Sequence, residues 1–207
     1  MVKLWGLFKI ERRWCTCLRK FAFSWIFDDT IVDSLECVTE ILNRRYDTNV
    51  KAEDIERWDG SDQFPMLKNN EIEEVFCEQE FFNNIKLKDG AKEMFKELSL
   101  YFDIYIISKG SPTNLRRKQE WIQRNINVPI KFIGLGLNDS KGGIDMGTRS
   151  IHIDDHVGYL RESNACIKIL FESYKDKEWN QGWEGIRFTR WCAYTTKTLK
   201  ELYLQLM

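Results

Sequence analysis

The chain has 207 residues, enough for one globular domain with an appended lobe and short for two independent domains. Hydrophobic residues make up 43% and charged residues 30%, so an ordinary core can form and a disordered chain is excluded. The formal net charge of -1 argues against a general binder of nucleic-acid polymers.

The six cysteines contain no C-x-x-C pair, and His152 and His156 are the only histidines. A structural zinc site is therefore not expected, and single cysteines within apolar patterns read as core thiols of a reducing, cytoplasmic protein. Residues 1–20 carry six Lys or Arg against the one acid Glu11, with Trp5, Phe8 and Trp14 among them. They read as a basic extension, too interrupted by charge to span a bilayer.

Residues 21–27 form an apolar run that suits a buried strand and break abruptly into Asp28-Asp29-Thr30. Val32, Leu35, Val38, Ile41 and Leu42 then recur at helical spacing. Short helices are expected over 51–58 and 71–82, and a longer one from Gly90 through Leu100. A second strand is expected over 102–107, ending at Ser108, then a turn and a helix over 114–125. Residues 129–133 read as a strand, 134–147 as a glycine-rich loop, and 151–153 as a short strand ending in Asp154-Asp155. Strands over 166–171 and 185–191 and a helix over 195–204 complete the chain.

Alternating strands and helices predict an α/β domain with a mostly parallel sheet. Residues 32–87 hold no clear strand and read as a helical cap inserted after the first strand. Residues 21–31 and 88–207 form the expected core. In such sheets ligands bind beyond the carboxyl ends of the strands. Three of those ends carry Asp28-Asp29-Thr30, Ser108 and Asp154-Asp155, with Lys118 and Lys141 in the connections. Acids, a hydroxyl and amines brought to one edge suit a phosphate and Mg²⁺, because magnesium takes hard oxygen ligands and an ammonium offsets phosphoryl charge.

These motifs resemble the haloacid dehalogenase (HAD) superfamily of phosphohydrolases, and more narrowly the 5′(3′)-deoxyribonucleotidases. Phe27-Asp28-Asp29-Thr30-Ile31-Val32-Asp33-Ser34 is similar to the end of the superfamily's Asp-x-Asp-x-Thr motif. Ile104 to Ser108 is similar to its second motif, and Ile151 to Asp155 to its fourth, acidic one. Lys88-Asp89-Gly90-Ala91 and Lys118-Gln119-Glu120-Trp121-Ile122 resemble segments of the nucleotidase group. The resemblance implies a Rossmann-like three-layer core with a small helical cap and Mg²⁺-dependent removal of phosphate from nucleoside monophosphates or related phosphomonoesters. It assigns Asp28 as the acid/base that also offers a backbone carbonyl to Mg²⁺. It assigns Ser108, Lys141 and Lys118 to the phosphate, and Asp154 or Asp155 to the metal. Trp58, Phe64 and Phe76 are the cap aromatics expected to face the substrate.

One position departs from the pattern. Counting back from Asp28 and Thr30 puts the nucleophilic aspartate's place at Ile26, which has no nucleophilic atom and no metal-binding oxygen. The expectation is an impaired phosphohydrolase with weakly held Mg²⁺. The alternative is a pseudoenzyme that binds nucleotide, phosphate or a protein partner. A register in which Asp28 itself attacks displaces Thr30 and spoils the fit through Asp33-Ser34.

Overall fold

The computed structural model describes residues 22–68, 71–146 and 149–206. The basic extension expected over 1–20 lies outside the described residues. Six strands run in chain order as β1 (Ala22–Trp25), β2 (Asp103–Lys109), β3 (Ile130–Leu135), β4 (Ser150–Asp154), β5 (Ile167–Phe171) and β6 (Ile186–Phe188). They form one sheet in the order β3-β2-β1-β4-β5-β6, with every pairing parallel. The fold is α/β and Rossmann-like, and its order reverses between β1 and β4. Trp25 pairs in register with Ile106 on one side and Ile153 on the other, which brings three strand ends together.

The helices are α1 (Ser34–Tyr46), α2 (Glu71–Val75), α3 (Gln79–Asn84), α4 (Ala91–Leu98), α5 (Pro112–Asn125), α6 (Val157–Glu162) and α7 (Ala193–Gln205). Among the described residues none is long and apolar enough to cross a membrane. The apolar stripe predicted for α1 is real: Val38, Ile41 and Leu42 are buried with Cys37. The main core joins these residues to Phe23, Trp25 and Phe27 of the first strand and its extension, Ile104 and Ile106 of β2, and Ile151 and Ile153 of β4. Phe27 meets the indole of Trp121 on α5 edge-on, with ring centroids 5.5 Å apart. Full burial of a side chain of this size contributes about 1.5–3 kcal/mol.

Three expectations change in the fold. Residues 51–58 form only a short 3-10 turn, Ala52–Asp54. The Asp62 carboxylate accepts the N–H groups of Glu56 (2.8 Å) and Arg57 (3.3 Å), which holds that backbone in a loop. The helix expected over 71–82 is broken into α2 and α3. Asn114 Nδ2 and Arg117 Nη1 of α5 donate to the carbonyls of Phe76 and Cys77, each at 2.6 Å, so these acceptors are used away from the helix axis. The third is α6, an unexpected helix capped by His156, whose Nδ1 accepts from the Gly158 N–H at 3.0 Å.

At the end of the 32–87 segment Leu87 bridges back to Val32. Gly90 follows with φ +78°, and a Cβ there would lie 2.3 Å from the Trp191 carbonyl oxygen. Gly90→Ala is therefore expected to destabilise the chain by about 1–3 kcal/mol from backbone strain, with the clash in addition. Urea denaturation measures this, and an unchanged midpoint would show that the junction yields freely.

Candidate active site

The sheet's strand order opens a crevice at the carboxyl ends of β1 and β4, where open α/β sheets bind ligands. A cavity of about 550 Å³ lies there, and Ile26, Asp28, Lys118 and Asp155 all line it. Ile26 continues the sheet ladder, its N–H donating to the Ile153 carbonyl at 3.1 Å. Its side chain is buried at the cavity wall beside Asp28. A branched hydrocarbon thus stands at the tip of β1, two residues before the acid.

The loop after β1 is held tightly. Asp29 has a left-handed φ of +47°, and its Oδ1 accepts the Leu35 N–H at 3.0 Å. Burial pushes its carboxyl up to about 7, against the opposing pull of Lys88 and that hydrogen bond. Trp191 Nε1 donates to the Thr30 carbonyl at 2.7 Å. Asp28 is aimed at the cavity with both carboxylate oxygens engaged. Oδ1 accepts from the Ser34 hydroxyl at 3.0 Å, and Oδ2 pairs with the Lys118 ammonium. Lys118 Nζ also donates to Ser108 Oγ at 2.9 Å. Helix α5 therefore delivers one lysine to the ends of both β1 and β2, joining three of the residues singled out in the sequence.

Lys141 goes elsewhere. It is fully buried, ion-paired with Asp154, and its Nζ lies 4.2 Å from the centre of the Tyr159 ring. It does not line the cavity. The remaining Asp154 contacts are His152 Nε2 at 3.2 Å on Oδ2 and the His156 N–H at 3.0 Å on Oδ1. Burial alone would raise the Asp154 carboxyl, but the Lys141 charge and the His152 hydrogen bond outweigh it and hold it well below the usual range. His152 Nδ1 in turn meets Ser24 Oγ at 2.8 Å. Burial lowers the His152 pKa, and a neutral ring with its proton on Nε2 satisfies both contacts, donating to Asp154 and accepting from Ser24. Ser24 and His152 are buried, do not line the cavity and act as a bracket for Asp154.

Asp155 lies just beyond the end of β4 and, unlike Asp154, reaches the cavity. It lines the cavity, and its Oδ2 is buried without a hydrogen-bond partner. Burial, then repulsion from Asp154 and Asp29, pushes its carboxyl well above the ordinary value. A divalent cation needs several oxygen ligands. Of the strand-end acids Asp28, Asp154 and Asp155, only Asp155 has a carboxylate that makes no ion pair or hydrogen bond among the described residues, since Asp154 and Asp28 are engaged by Lys141, His152, Lys118 and Ser34 and the Asp28 carbonyl already accepts the Thr30 N–H at 2.6 Å. Among the described residues no group of three His, Cys, Asp or Glu side chains is placed to hold a metal ion. The donor set does not fit Mg²⁺.

The three aromatics expected to face the substrate divide. Trp58 lines the cavity half exposed, its ring edge-on to Trp179 at 5.5 Å and His156 at 5.8 Å. Phe76 also lines it. Phe64 is fully buried in the main core and does not reach the cavity. Its Gly60 and Leu67 backbone bonds fold that turn inward. Sequence reasoning missed Lys109, Ser111, Asn114 and Tyr159 as cavity residues. The Ser111-Pro112 pair was a legible signal: Ser111 caps α5, accepting the Asn114 N–H at 3.3 Å.

The fold and site define a HAD-like protein. Its structure resembles a haloacid dehalogenase-like protein from Agrobacterium tumefaciens, with TM-score 0.58, 15% identity, and coverage of 89% of this chain and 98% of that one. It also resembles the HAD-hydrolase YfnB from Bacillus subtilis, a magnesium-bound structure, with TM-score 0.53, 14% identity, and coverage of 91% and 99%. These likenesses concern the fold. Residues 24–193 match the family described as "5' nucleotidase, deoxy (Pyrimidine), cytosolic type C protein", and the chain belongs to that family. A 5'(3')-deoxyribonucleotidase from Clostridium acetobutylicum is 27% identical over 159 residues, covering 77% of this chain and 83% of the relative. A Staphylococcus epidermidis protein whose name places it among the 5'(3')-deoxyribonucleotidases is 30% identical over 99 residues, 46% of this chain. The match spans about half of that relative, 54% of its length.

Proposed function

We propose that this chain is a nucleotidase-type phosphohydrolase scaffold for nucleoside monophosphates whose turnover is strongly impaired by Ile26. The observation that carries this reading is Ile26 lining the cavity beside Asp28, Lys118 and Asp155. Family membership supports the substrate class. In this reading Asp28 keeps the acid/base place and Lys118, joined to Ser108, holds the phosphate end. Trp58 and Phe76 are the cap rings within reach of a base. Without a carboxylate at position 26, no aspartyl phosphate forms and water must attack directly, a route expected to be slower by about 10⁴-fold or more.

A second reading is a binding protein without turnover. It is favoured by the full engagement of Asp28, whose two oxygens are already held by Ser34 and Lys118. Phosphate release from deoxynucleoside monophosphates, measured beside nucleotide binding on the same preparation, separates the two. Slow release accelerated by Ile26→Asp supports the impaired enzyme. Binding with no release from either protein supports the binder. Rapid release by the unmodified chain would refute the place assigned to Ile26.

A further inference from the structure

The metal expected of such a site and the residues actually present disagree, and the disagreement predicts how the cavity meets an anion. Resting on the reading of this cavity as a phosphomonoester site, we propose that the chain binds its ligand without a divalent cation, Lys109 and Lys118 supplying the positive charge. A cation at the tip of β1 would find hydrocarbon at Ile26, where it needs oxygen. To recruit Asp154 it would have to break a buried ion pair with Lys141 and a hydrogen bond from His152. To recruit the Asp28 carboxylate it would have to displace Lys118 or Ser34. The same substitution that removes a ligand for the metal removes a negative charge from the phosphate's approach. The site thereby loses both its means of holding Mg²⁺ and part of its need for it.

The positive charge is already in place. Lys118 lines the cavity, buried between Ser108 and Asp28, whose carboxylate offsets its charge until a ligand anion competes for the ammonium. Lys109, the last residue of β2, lines the same cavity and forms no salt bridge with any described carboxylate. Its Nζ lies 5.1 Å from the centre of the Tyr159 ring, which is itself stacked on His156 with centroids 4.3 Å apart. The ring face steadies the ammonium without neutralising it, which leaves its charge for a ligand. Glu73 and Glu74 of the cap also line the cavity, but both are exposed to solvent, where their repulsion is screened. Gly110 and Ser111 at the start of α5 add backbone and hydroxyl groups to the same wall.

Calorimetric titration of the full chain with thymidine 5′-monophosphate and with inorganic phosphate tests this, in excess Mg²⁺ and in excess EDTA. The expected Kd is the same in the two buffers within about twofold, and Lys109→Met weakens it about tenfold in both. Ile26→Asp, which returns an acid beside Asp28 and Asp155, is expected to make binding tighter in Mg²⁺ than in EDTA. An unmodified chain that loses about tenfold or more in affinity on chelation holds a metal, which overturns the inference while leaving the cavity's ligand class intact. Unaltered affinity in Lys109→Met removes Lys109 from the proposal. Absence of binding to either probe in both buffers overturns the phosphomonoester reading and the inference with it. The comparison of buffers on the unmodified chain decides the main question even where a variant fails to fold.

Discussion

Ile26→Asp is expected to raise the rate of deoxynucleoside monophosphate hydrolysis in Mg²⁺ by on the order of 10⁴-fold. The replacement puts a carboxylate at the cavity wall already shared by Asp28, Lys118 and Asp155. Two deficits are repaired by one side chain. A nucleophile returns, so phosphoryl transfer divides into formation and hydrolysis of an acyl phosphate. A third acid also joins Asp28 and Asp155, where a metal has too few open oxygens in the parent. The backbone need not move, because the Ile26 N–H already donates to Ile153 and the loop behind it is tied at Asp29 and Thr30. Steady-state phosphate release gives kcat for both proteins. Adding Asp28→Asn to the variant should abolish most of the gain, since the leaving alcohol then lacks its proton donor. A parent already turning over at about 1 s⁻¹ or faster would place the nucleophile elsewhere.

Lys141→Met is expected to cost about 3–5 kcal/mol of stability, because it leaves a buried carboxylate with no opposing charge. Both Lys141 and Asp154 are fully buried. The His152 hydrogen bond to Asp154 remains, and although loss of Lys141 removes one charge that lowers the His152 pKa, the burial that opposes protonation of the ring stays. The sign with pH follows from the direction of the Asp154 shift. In the parent its folded carboxyl lies below the unfolded value, so the pairing stabilises at neutral pH and is lost as pH falls below about 4. In the variant burial dominates and raises that carboxyl, so stability should fall as pH rises from 5 to 8. Adding Asp154→Leu should recover most of the loss, since no unpaired charge is then buried. Urea midpoints across pH measure all three proteins, and a Lys141→Met cost below about 1 kcal/mol would show that the pair is solvated.

The fold was legible in the sequence where hydrophobic pattern alone decides structure. The runs at 21–27, 102–107 and 151–153 hold or overlap β1, β2 and β4, because a strand covered on both faces is nearly continuous in apolar residues. The α5 and α7 helices appeared close to their expected ends, and the described residues of the 32–87 segment contain no strand of the sheet. Helix α6 was not legible, because its six residues are too few for a periodic signal and its cap is a histidine. The break between α2 and α3 was hidden as well, since its cause lies in Asn114 and Arg117, far away along the chain.

The site divides along the same line. The sequence by itself determined which chemical groups reach the sheet edge, because strand ends and residue spacing place Ile26, Asp28, Ser108 and Asp154-Asp155 there. Only the tertiary structure decided how they are paired. Lys118 went to Asp28 and Ser108, Lys141 turned inward to Asp154, and Phe64 joined the core while Trp58 and Phe76 stayed at the cavity. Local spacing sets the direction in which a side chain leaves its element. A charge's partner depends on which groups from distant segments share its low-dielectric surroundings, and only the folded chain brings those together.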